Sequence, residues 1–286
     1  MTSSTSSTDT PPLQVIYTCE ASAVRAKQLA ARLHTEAKLQ KSKATEPTAK
    51  GRQQHSGPRL IVDAENTTLE WGESPPTRLR LTFIEGKNRY RADNSKRRDE
   101  TLARALGLGK SLSPDKLARY SVLDATSGLG RDAWTIASFG CSVIMMERCI
   151  WLQWMQREAL TEALAHPATQ SCARRITLVQ ANAISWLEQG YASDVINAIY
   201  LDPMYPARNK SAAVKKDMQA LQQLIGKDHD SNELLSVALR SAENSGINRV
   251  VVKRPRGADP IENELGIKVH HQHESRNTRY DVYQTE

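Results

Sequence analysis

Alternating strand and helix signals dominate the chain from Tyr120 onward. Short apolar runs typical of buried strands are separated by segments with helical periodicity. The predicted strands span 121–125, 141–147, 175–181, 195–202 and 249–254, with a last, edge strand at 280–283. The predicted helices span 132–139, 150–164, 184–187, 212–225 and 232–243. This alternation predicts βαβ units and therefore an α/β fold with a doubly wound, mostly parallel sheet.

The part before Tyr120 gives shorter and less regular signals. We predict a strand at 13–17, an amphipathic helix over 20–40, short strands at 60–62 and 78–84, and a helix over 99–106. Residues 1–12 are rich in Ser, Thr and Pro, which predicts a disordered tail, and the polar residues 41–58 predict a linker. The sequence thus divides into the tail, a small α/β N-terminal extension over 13–119 and a larger α/β domain over 120–286.

Composition narrows the class of protein. Hydrophobic residues make up 39% of the chain, and no apolar run approaches the roughly 20 residues of a membrane span. The N-terminus lacks the basic start and apolar core of a signal peptide. The four cysteines show no C-x-x-C spacing, which argues against a disulfide scaffold and a zinc module. We therefore expect a cytoplasmic protein without a metal or a membrane partner.

The basic residues are concentrated in the first part of the chain. The net charge is +7, and residues 1–119 alone carry a net +8. Within them, the segment 87–98 holds six basic residues, including Arg97 and Arg98, against one acid. Such a cluster suggests a polyanion partner, because each phosphate that is neutralised releases counterions. A solvated basic loop is the alternative interpretation.

A glycine-rich turn follows the first strand of the larger domain. Asp124 ends the strand, and Gly128 and Gly130 lead into the next helix. A carboxylate directly before the turn suits a cationic amine better than a pyrophosphate. S-adenosylmethionine (SAM) carries an amino group and a sulfonium but no phosphate. Glu147 ends the next strand, where an acid can accept both ribose hydroxyls of an adenosine, so the pair fits SAM or NAD.

Two further strand ends carry candidate chemistry. Asn182, followed by Ala183, comes after the third strand and could bind the adenine amine. The fourth strand ends in Asp202-Pro203-Met204-Tyr205-Pro206. Asp202 and the Pro203 carbonyl could accept the two N–H bonds of an exocyclic amine, while Tyr205 stacks on the base. This constellation predicts N-methylation of a nucleobase.

Several segments together resemble a known family. They are DATSGLGRDA at 124–133, MER at 146–148, YLDPMYP at 200–206, KSAAVKKDM at 210–218 and VVVKRP at 250–255. In this order they resemble the 16S rRNA (guanine-N2)-methyltransferase J family, class I SAM-dependent enzymes of small-subunit ribosomal RNA. The resemblance covers about residues 79–284 and implies a seven-strand methyltransferase sheet with a small N-terminal extension. It also implies SAM contacts at the following residues: Arg131, Asp132, Glu147, Arg148, Asn182, Ala183 and Asp202.

The predicted partner is 16S ribosomal RNA or the small ribosomal subunit. Besides Arg97 and Arg98, the candidate phosphate contacts are Lys210, Lys215, Lys216, Lys253 and Arg254. A DNA or protein N-methyltransferase with the same Asp-Pro site is one alternative. An inactive RNA-binding protein on the same fold is another, and an NAD dehydrogenase is disfavoured by Asp124 and by the Asp-Pro motif.

Overall fold

A computed structural model describes residues 13–39, 57–72, 76–85, 100–109, 112–190, 195–204, 224–225 and 230–285. Its contacts group these residues into two compact units, and Thr82 is the first residue of the second unit. The predicted tail at 1–12, most of the linker at 41–58 and the basic segment 87–98 lie outside the described residues.

The first unit is a five-stranded sheet with one helix. Its elements are β1 (Gln14–Tyr17), α1 (Glu20–Arg32), β2 (Ala37–Leu39), β3 (Arg59–Val62), β4 (Thr67–Trp71) and β5 (Thr77–Arg80). The strand order is β2-β1-β3-β4-β5. β1 runs parallel to β2 and β3, whereas β3, β4 and β5 are antiparallel neighbours.

Helix α1 is shorter than its sequence pattern suggested. The helix predicted over 20–40 ends at Arg32, and the chain then enters β2. His34 has a positive φ of 52°, a backbone conformation that a continuing right-handed helix excludes. The prediction was wrong here because Ala and Lys, residues that favour helices, continue into β2, a short strand that pairs with β1.

The second unit contains a seven-stranded sheet. Its strands are β6 (Ser121–Asp124), β7 (Ser142–Glu147), β8 (Ile176–Gln180), β9 (Ala198–Leu201), β10 (Val250–Pro255), β11 (His271–Glu274) and β12 (Thr278–Tyr283). The order is β11-β12-β10-β9-β6-β7-β8. The five neighbouring strands β8, β7, β6, β9 and β10 are parallel, and β12 is antiparallel to both of its neighbours. The predicted α/β fold with a mostly parallel seven-strand sheet is confirmed.

Helices follow most of these strands. They are α2 (Thr101–Ala105), α3 (Pro114–Ala118), α4 (Arg131–Ser138), α5 (Ile150–Ala165), α6 (Gln170–Ala173), α7 (Ala183–Glu188) and α8 (Ser231–Asn244). The helix predicted over 212–225 lies almost wholly outside the described residues. Within the described ranges, no helix has the combined length and apolar character that crossing a membrane requires.

The last strand is not at the edge of the sheet. β12 lies between β10 and β11, so the prediction of an edge strand at 280–283 was wrong. The true edge strand, β11, has the sequence His-Gln-His-Glu, and all of its residues are partly or fully exposed. It carries no hydrophobic pattern from which a strand could be read.

The central strands are buried on both faces. All residues of β6 and β9 are buried, as are Val250, Val251 and Val252 of β10. Leu235 and Leu239 of α8 pack in the core on one side of the sheet. Burial on both faces explains why these strands are continuous apolar runs rather than alternating ones.

The larger unit begins before the boundary predicted at Tyr120. Phe83 stacks on Trp134 of α4, with ring centroids 4.7 Å apart and an interplanar angle of 3°. Helix α2 packs against β11 and β12. The described residues between Thr82 and Tyr120 therefore group with the seven-stranded sheet, and the boundary between the compact units lies at 81/82.

Candidate active site

Four charged side chains come from the carboxyl ends of neighbouring strands. Asp124 ends β6, Glu147 ends β7, Asp202 follows β9, and Lys253 lies in the second half of β10. These strands are parallel neighbours, so their carboxyl ends meet at one edge of the sheet. Ligands of doubly wound sheets bind at this edge.

The glycine-rich turn after β6 requires its glycines. Gly128 and Gly130 have φ values of 52° and 68°, in the left-handed region that glycine adopts without strain. A Cβ at Gly130 would lie 2.9 Å from Phe83 Cζ and 3.0 Å from Met145 Sδ. Gly130 also precedes α4 directly, so this close packing sets where the helix begins.

Side chains of β7 and α5 hold this turn in place. The Gly128 N–H donates to Glu147 Oε2 at 3.1 Å. Gln156 of α5 is completely buried, and its Nε2 donates to the Gly128 carbonyl at 2.6 Å and to Ser127 Oγ at 2.9 Å. Sequence reasoning missed Gln156, because it lies in a helix with no motif that signals the contact.

Glu147 is buried and bonded mainly to backbone groups. Its Oε1 accepts the Cys149 N–H at 2.8 Å. Burial raises the pKa of Glu147 to about 7, although the backbone N–H bonds from Cys149 and Gly128 act in the opposite direction. The neighbouring Arg148 pairs with Asp230 at 2.6 Å. Glu147 is therefore an acceptor at a strand end that gains or loses its proton near neutral pH.

Asp124 is an enclosed carboxyl group with one unsatisfied oxygen. It is 1% exposed, and its Oδ1 accepts the Thr126 N–H at 3.2 Å. Its Oδ2 is buried, and no group in the described residues forms a hydrogen bond with it. Burial, and then the charge of Asp132, raises the pKa of Asp124 well above its usual range. A buried unpaired carboxyl group of this kind would be stabilised by a cation.

Asp202 belongs to a cluster of charged and hydroxyl groups. Lys253 Nζ lies 2.8 Å from Asp202 Oδ2 and 2.6 Å from Asp132 Oδ2. The Tyr200 hydroxyl donates to Asp132 Oδ2 at 2.7 Å. Enclosure raises the pKa of Asp202 to about 6, with Lys253 lowering it and Asp132 raising it further.

Thr126 connects this cluster to the glycine turn. Its Oγ1 accepts the backbone N–H of Asp202 at 2.6 Å, which ties the end of β9 to the turn after β6. Thr126 and Tyr200 both lie inside sequence motifs that were recognised, but neither was assigned a role. Their contacts depend on the neighbouring strand, which the order of residues along one strand does not reveal.

Two of the predicted RNA contacts are placed differently by the structure. Lys253 is held between Asp132 and Asp202, with 26% of its side chain exposed, rather than presented on the surface. Arg254 is buried, and its guanidinium donates to the Asp259 carbonyl, with an Nε–O distance of 3.1 Å. A phosphate contact through Arg254 would require breaking this arrangement, so its placement argues against that role.

The remaining predicted residues fall into two groups. Asn182 caps α7, its Oδ1 accepting the Ile184 N–H at 2.9 Å, while Ala183 and Pro203 are buried and Arg131 begins α4. The predicted residues outside the described ranges are Arg97, Arg98, Tyr205, Lys210, Lys215 and Lys216. Over the described part of the chain, no three His, Cys, Asp or Glu side chains are grouped so as to hold a metal ion.

Comparison with known proteins decides the family. A family model described as a putative SAM-dependent methyltransferase matches residues 43–285. The ribosomal RNA small subunit methyltransferase J of Nitrosococcus oceani is 40% identical over 226 residues, which cover 79% of this chain and 84% of that protein. This chain belongs to the ribosomal RNA small subunit methyltransferase J family. The methyltransferase J of Thioalkalivibrio sulfidiphilus is 39% identical, again over 79% of this chain and 84% of the relative.

A solved structure agrees with the fold of this methyltransferase J family member. The SAM-dependent methyltransferase of Neisseria gonorrhoeae has a TM-score of 0.63 and 24% sequence identity, and the match covers 95% of this chain and 96% of that one. The predicted family, the SAM-dependent methyltransferase fold and the assignment as an enzyme are thus confirmed. The Asp124–Gly130 turn, Glu147 and Asp202 are accordingly residues of a methyltransferase domain.

Proposed function

We propose that this enzyme transfers a methyl group from SAM to the exocyclic N2 amine of a guanine in 16S ribosomal RNA. The observation that carries the proposal is the position of Asp202. This carboxylate and the buried Pro203 follow β9 at the sheet edge where the glycine turn and Glu147 also lie. The names of the relatives, which specify small-subunit ribosomal RNA, support this substrate, and such a substrate sets the reaction in the cytoplasm.

The residues at the sheet edge fit SAM. The orphaned Oδ2 of Asp124 suits the ammonium of the methionine moiety, and Glu147 suits the ribose hydroxyls. Asp124, Asp132 and Asp202 lie around the ammonium of Lys253 there, and this excess of acids favours a ligand with net positive charge. Further contacts are proposed from the family motifs at Arg131, Asp132, Arg148, Asn182 and Ala183. When bound, SAM supplies an electrophilic methyl group.

Asp202 and Pro203 would orient the acceptor amine. The Asp202 carboxylate and the Pro203 carbonyl each accept one N–H of the guanine amine, so that its lone pair is directed to the incoming carbon. Asp202 then takes the proton that the amine loses on methylation. Tyr205 would hold the base by stacking. Little general-base strength is needed, since positioning supplies most of the rate.

We expect basic residues to hold the RNA backbone. The segment 87–98, with Arg97 and Arg98, is the principal candidate, and Lys210, Lys215 and Lys216 follow the Asp-Pro motif in sequence. Arginine and lysine contacts to phosphates position an RNA without reading its sequence. The buried and bonded Arg254 is left out of this set.

The decisive experiment is labelled methyl transfer to ribosomal RNA, followed by nucleoside analysis of the product. We expect N2-methylguanosine from the wild-type enzyme and a rate reduced by about a hundredfold or more in Asp202→Ala, because misplacing a reacting atom by about 1 Å costs that much. Tyr205→Phe should stay active, whereas Tyr205→Ala should lose stacking worth about 1–3 kcal/mol.

The control is Asp115→Ala, which removes an exposed carboxylate from α3, a helix that precedes the amino end of β6. It should transfer methyl groups at the wild-type rate. A fully active Asp202→Ala enzyme would refute the site, and a different methylated nucleoside would refute the proposed substrate atom. A Tyr205→Phe enzyme as slow as Tyr205→Ala would refute the stacking role.

A further inference from the structure

One ammonium is shared by two carboxylates beside the proposed transfer site. Val252 of β10 pairs with Leu201 of β9, so the next residues along the two strands, Lys253 and Asp202, lie side by side. The Lys253 ammonium reaches Asp202 at 2.8 Å and Asp132 at 2.6 Å. We propose that Lys253 is a positioning residue for methyl transfer, which keeps Asp202 ionised and in one orientation. This inference rests on the function proposed above.

The charges around Asp202 explain why an ammonium is needed there. The groups that face it are Asp132 on α4, Asp124 on β6, Tyr200 on β9 and Tyr280 on β12, together with Lys253 on β10. Among these described groups, only Lys253 carries a positive charge. Without it, the repulsion among three neighbouring acids and their partial removal from water would disfavour ionisation of Asp202.

The protonation state of Asp202 decides what it can do. An ionised carboxylate only accepts hydrogen bonds, whereas a protonated one has a hydroxyl donor that would oppose an amine N–H. It would also be unable to take up the amine proton. Even beside Lys253 the pKa of Asp202 is about 6. A further rise of about one unit would therefore leave half of the carboxylate protonated at pH 7.

The geometry also fixes the orientation of the carboxylate. Within the described part of the chain, the hydrogen bond to the Asp202 side chain reaches Oδ2, and the backbone N–H of Asp202 is bound by Thr126 Oγ1 at 2.6 Å. Oδ1 is thereby left to accept the amine. The Tyr200 hydroxyl bonds Asp132 Oδ2, which secures the second carboxylate that shares Lys253.

The experiment measures single-turnover methyl transfer at saturating SAM and RNA as a function of pH. Lys253→Met should move the acidic limb of the rate profile to higher pH by about one unit or more, and should lower the rate at pH 7 about twofold or more. Lys253→Arg keeps a cation at this position, so its acidic limb should lie at the same pH as that of the wild-type enzyme. Asp132→Asn removes a competing negative charge and should move the limb to lower pH.

The matched control is Lys116→Met, which removes an exposed lysine on α3 and should leave both the rate and the limb unchanged. A slower Lys253→Met enzyme with an unshifted limb would overturn the proposal, since a merely structural role lowers the rate at every pH. Weaker RNA binding with a smaller salt dependence and an unshifted limb would also overturn it, in favour of a phosphate contact.

A second measurement does not depend on methyl transfer. Because the pKa of Asp202 is raised by folding, its contribution to stability is present at low pH and is lost as pH rises through about 6. Removing Lys253 enlarges this loss, so the Tm of Lys253→Met should fall further below that of the wild type at pH 8 than at pH 5. An equal Tm difference at both pH values would overturn the ionisation role.

These readouts separate the two proposals. If the wild-type enzyme transfers no methyl group to guanine, the proposed function fails and the role of Lys253 in that reaction fails with it. If the wild-type enzyme is active and only the limb and Tm shifts are missing, the proposed function stands and the inference about Lys253 alone is refuted.

Discussion

Binding of SAM should depend on pH through Glu147. Burial raises the pKa of this residue to about 7, whereas two ribose hydroxyls are accepted best by an ionised carboxylate. A carboxyl group with this pKa is about 90% ionised at pH 8 and about 10% ionised at pH 6. The apparent affinity of a ligand scales with the fraction of protein in the binding-competent state. The Kd for SAM should therefore be about tenfold weaker at pH 6, which corresponds to about 1.4 kcal/mol.

The assay is calorimetric titration of the RNA-free enzyme with SAM at a series of pH values. Glu147→Gln should bind SAM more weakly at pH 8, by about 1–3 kcal/mol, because hydrogen-bonding partners in the site are left unpaired. Its Kd should also change less between pH 8 and pH 6 than that of the wild type. Any dependence that remains in the variant is assigned to Asp124 and Asp202, whose pKa values are raised by burial as well.

Two controls make the test decisive. Glu188→Gln makes the same chemical change at the exposed end of α7 and should leave the Kd and its pH dependence as in the wild type. Thermal unfolding of each variant shows whether its fold is retained. Equal pH dependence in the wild type and in folded Glu147→Gln would refute the assignment of the ribose to Glu147.

Two further outcomes are expected. Gly130→Ala should lower the Tm and weaken SAM binding, because its Cβ would lie 2.9 Å from Phe83 at a φ of 68°, and a misfit of this kind costs about 1–3 kcal/mol; a variant with wild-type Tm would contradict the packing. Replacing Arg97 and Arg98 by Ser should reduce the salt slope of RNA binding by about one to two units without changing the Kd for SAM, and an unchanged slope would show that these residues bind no phosphate.

The sequence was sufficient for the parallel part of the larger sheet. Strands such as Ser121–Asp124 and Ala198–Leu201 are buried on both faces, so each forms an apolar run that can be recognised without knowing its neighbours. Their ends carry Asp124 and Asp202, and parallel strands bring these ends to one edge. The fold class, which is confirmed, and the location of the candidate site could therefore be predicted from the same residues.

Other features depend on contacts that a linear pattern does not encode. The strand His271–Glu274 is polar and pairs on one side only, so it gives no hydrophobic signal. Lys253 looked like a surface cation because its two carboxylate partners, Asp132 and Asp202, lie far away in sequence. Gln156 was overlooked for the same reason, since its partners at Ser127 and Gly128 come from another element.

The stack of Phe83 on Trp134 has a consequence for where RNA can be bound. It fixes the chain just before the basic segment 87–98, and helix Thr101–Ala105 fixes the chain just after it, against β11 and β12. The described residues on either side of the segment, 82–85 and 100–109, thus belong to the unit that carries Asp202. An extended chain covers at most about 3.6 Å per residue, so three residues of chain span at most about 11 Å. We therefore expect any phosphate that Arg98 binds to lie no farther from the Cα of Thr101 than about 11 Å plus the length of one arginine side chain.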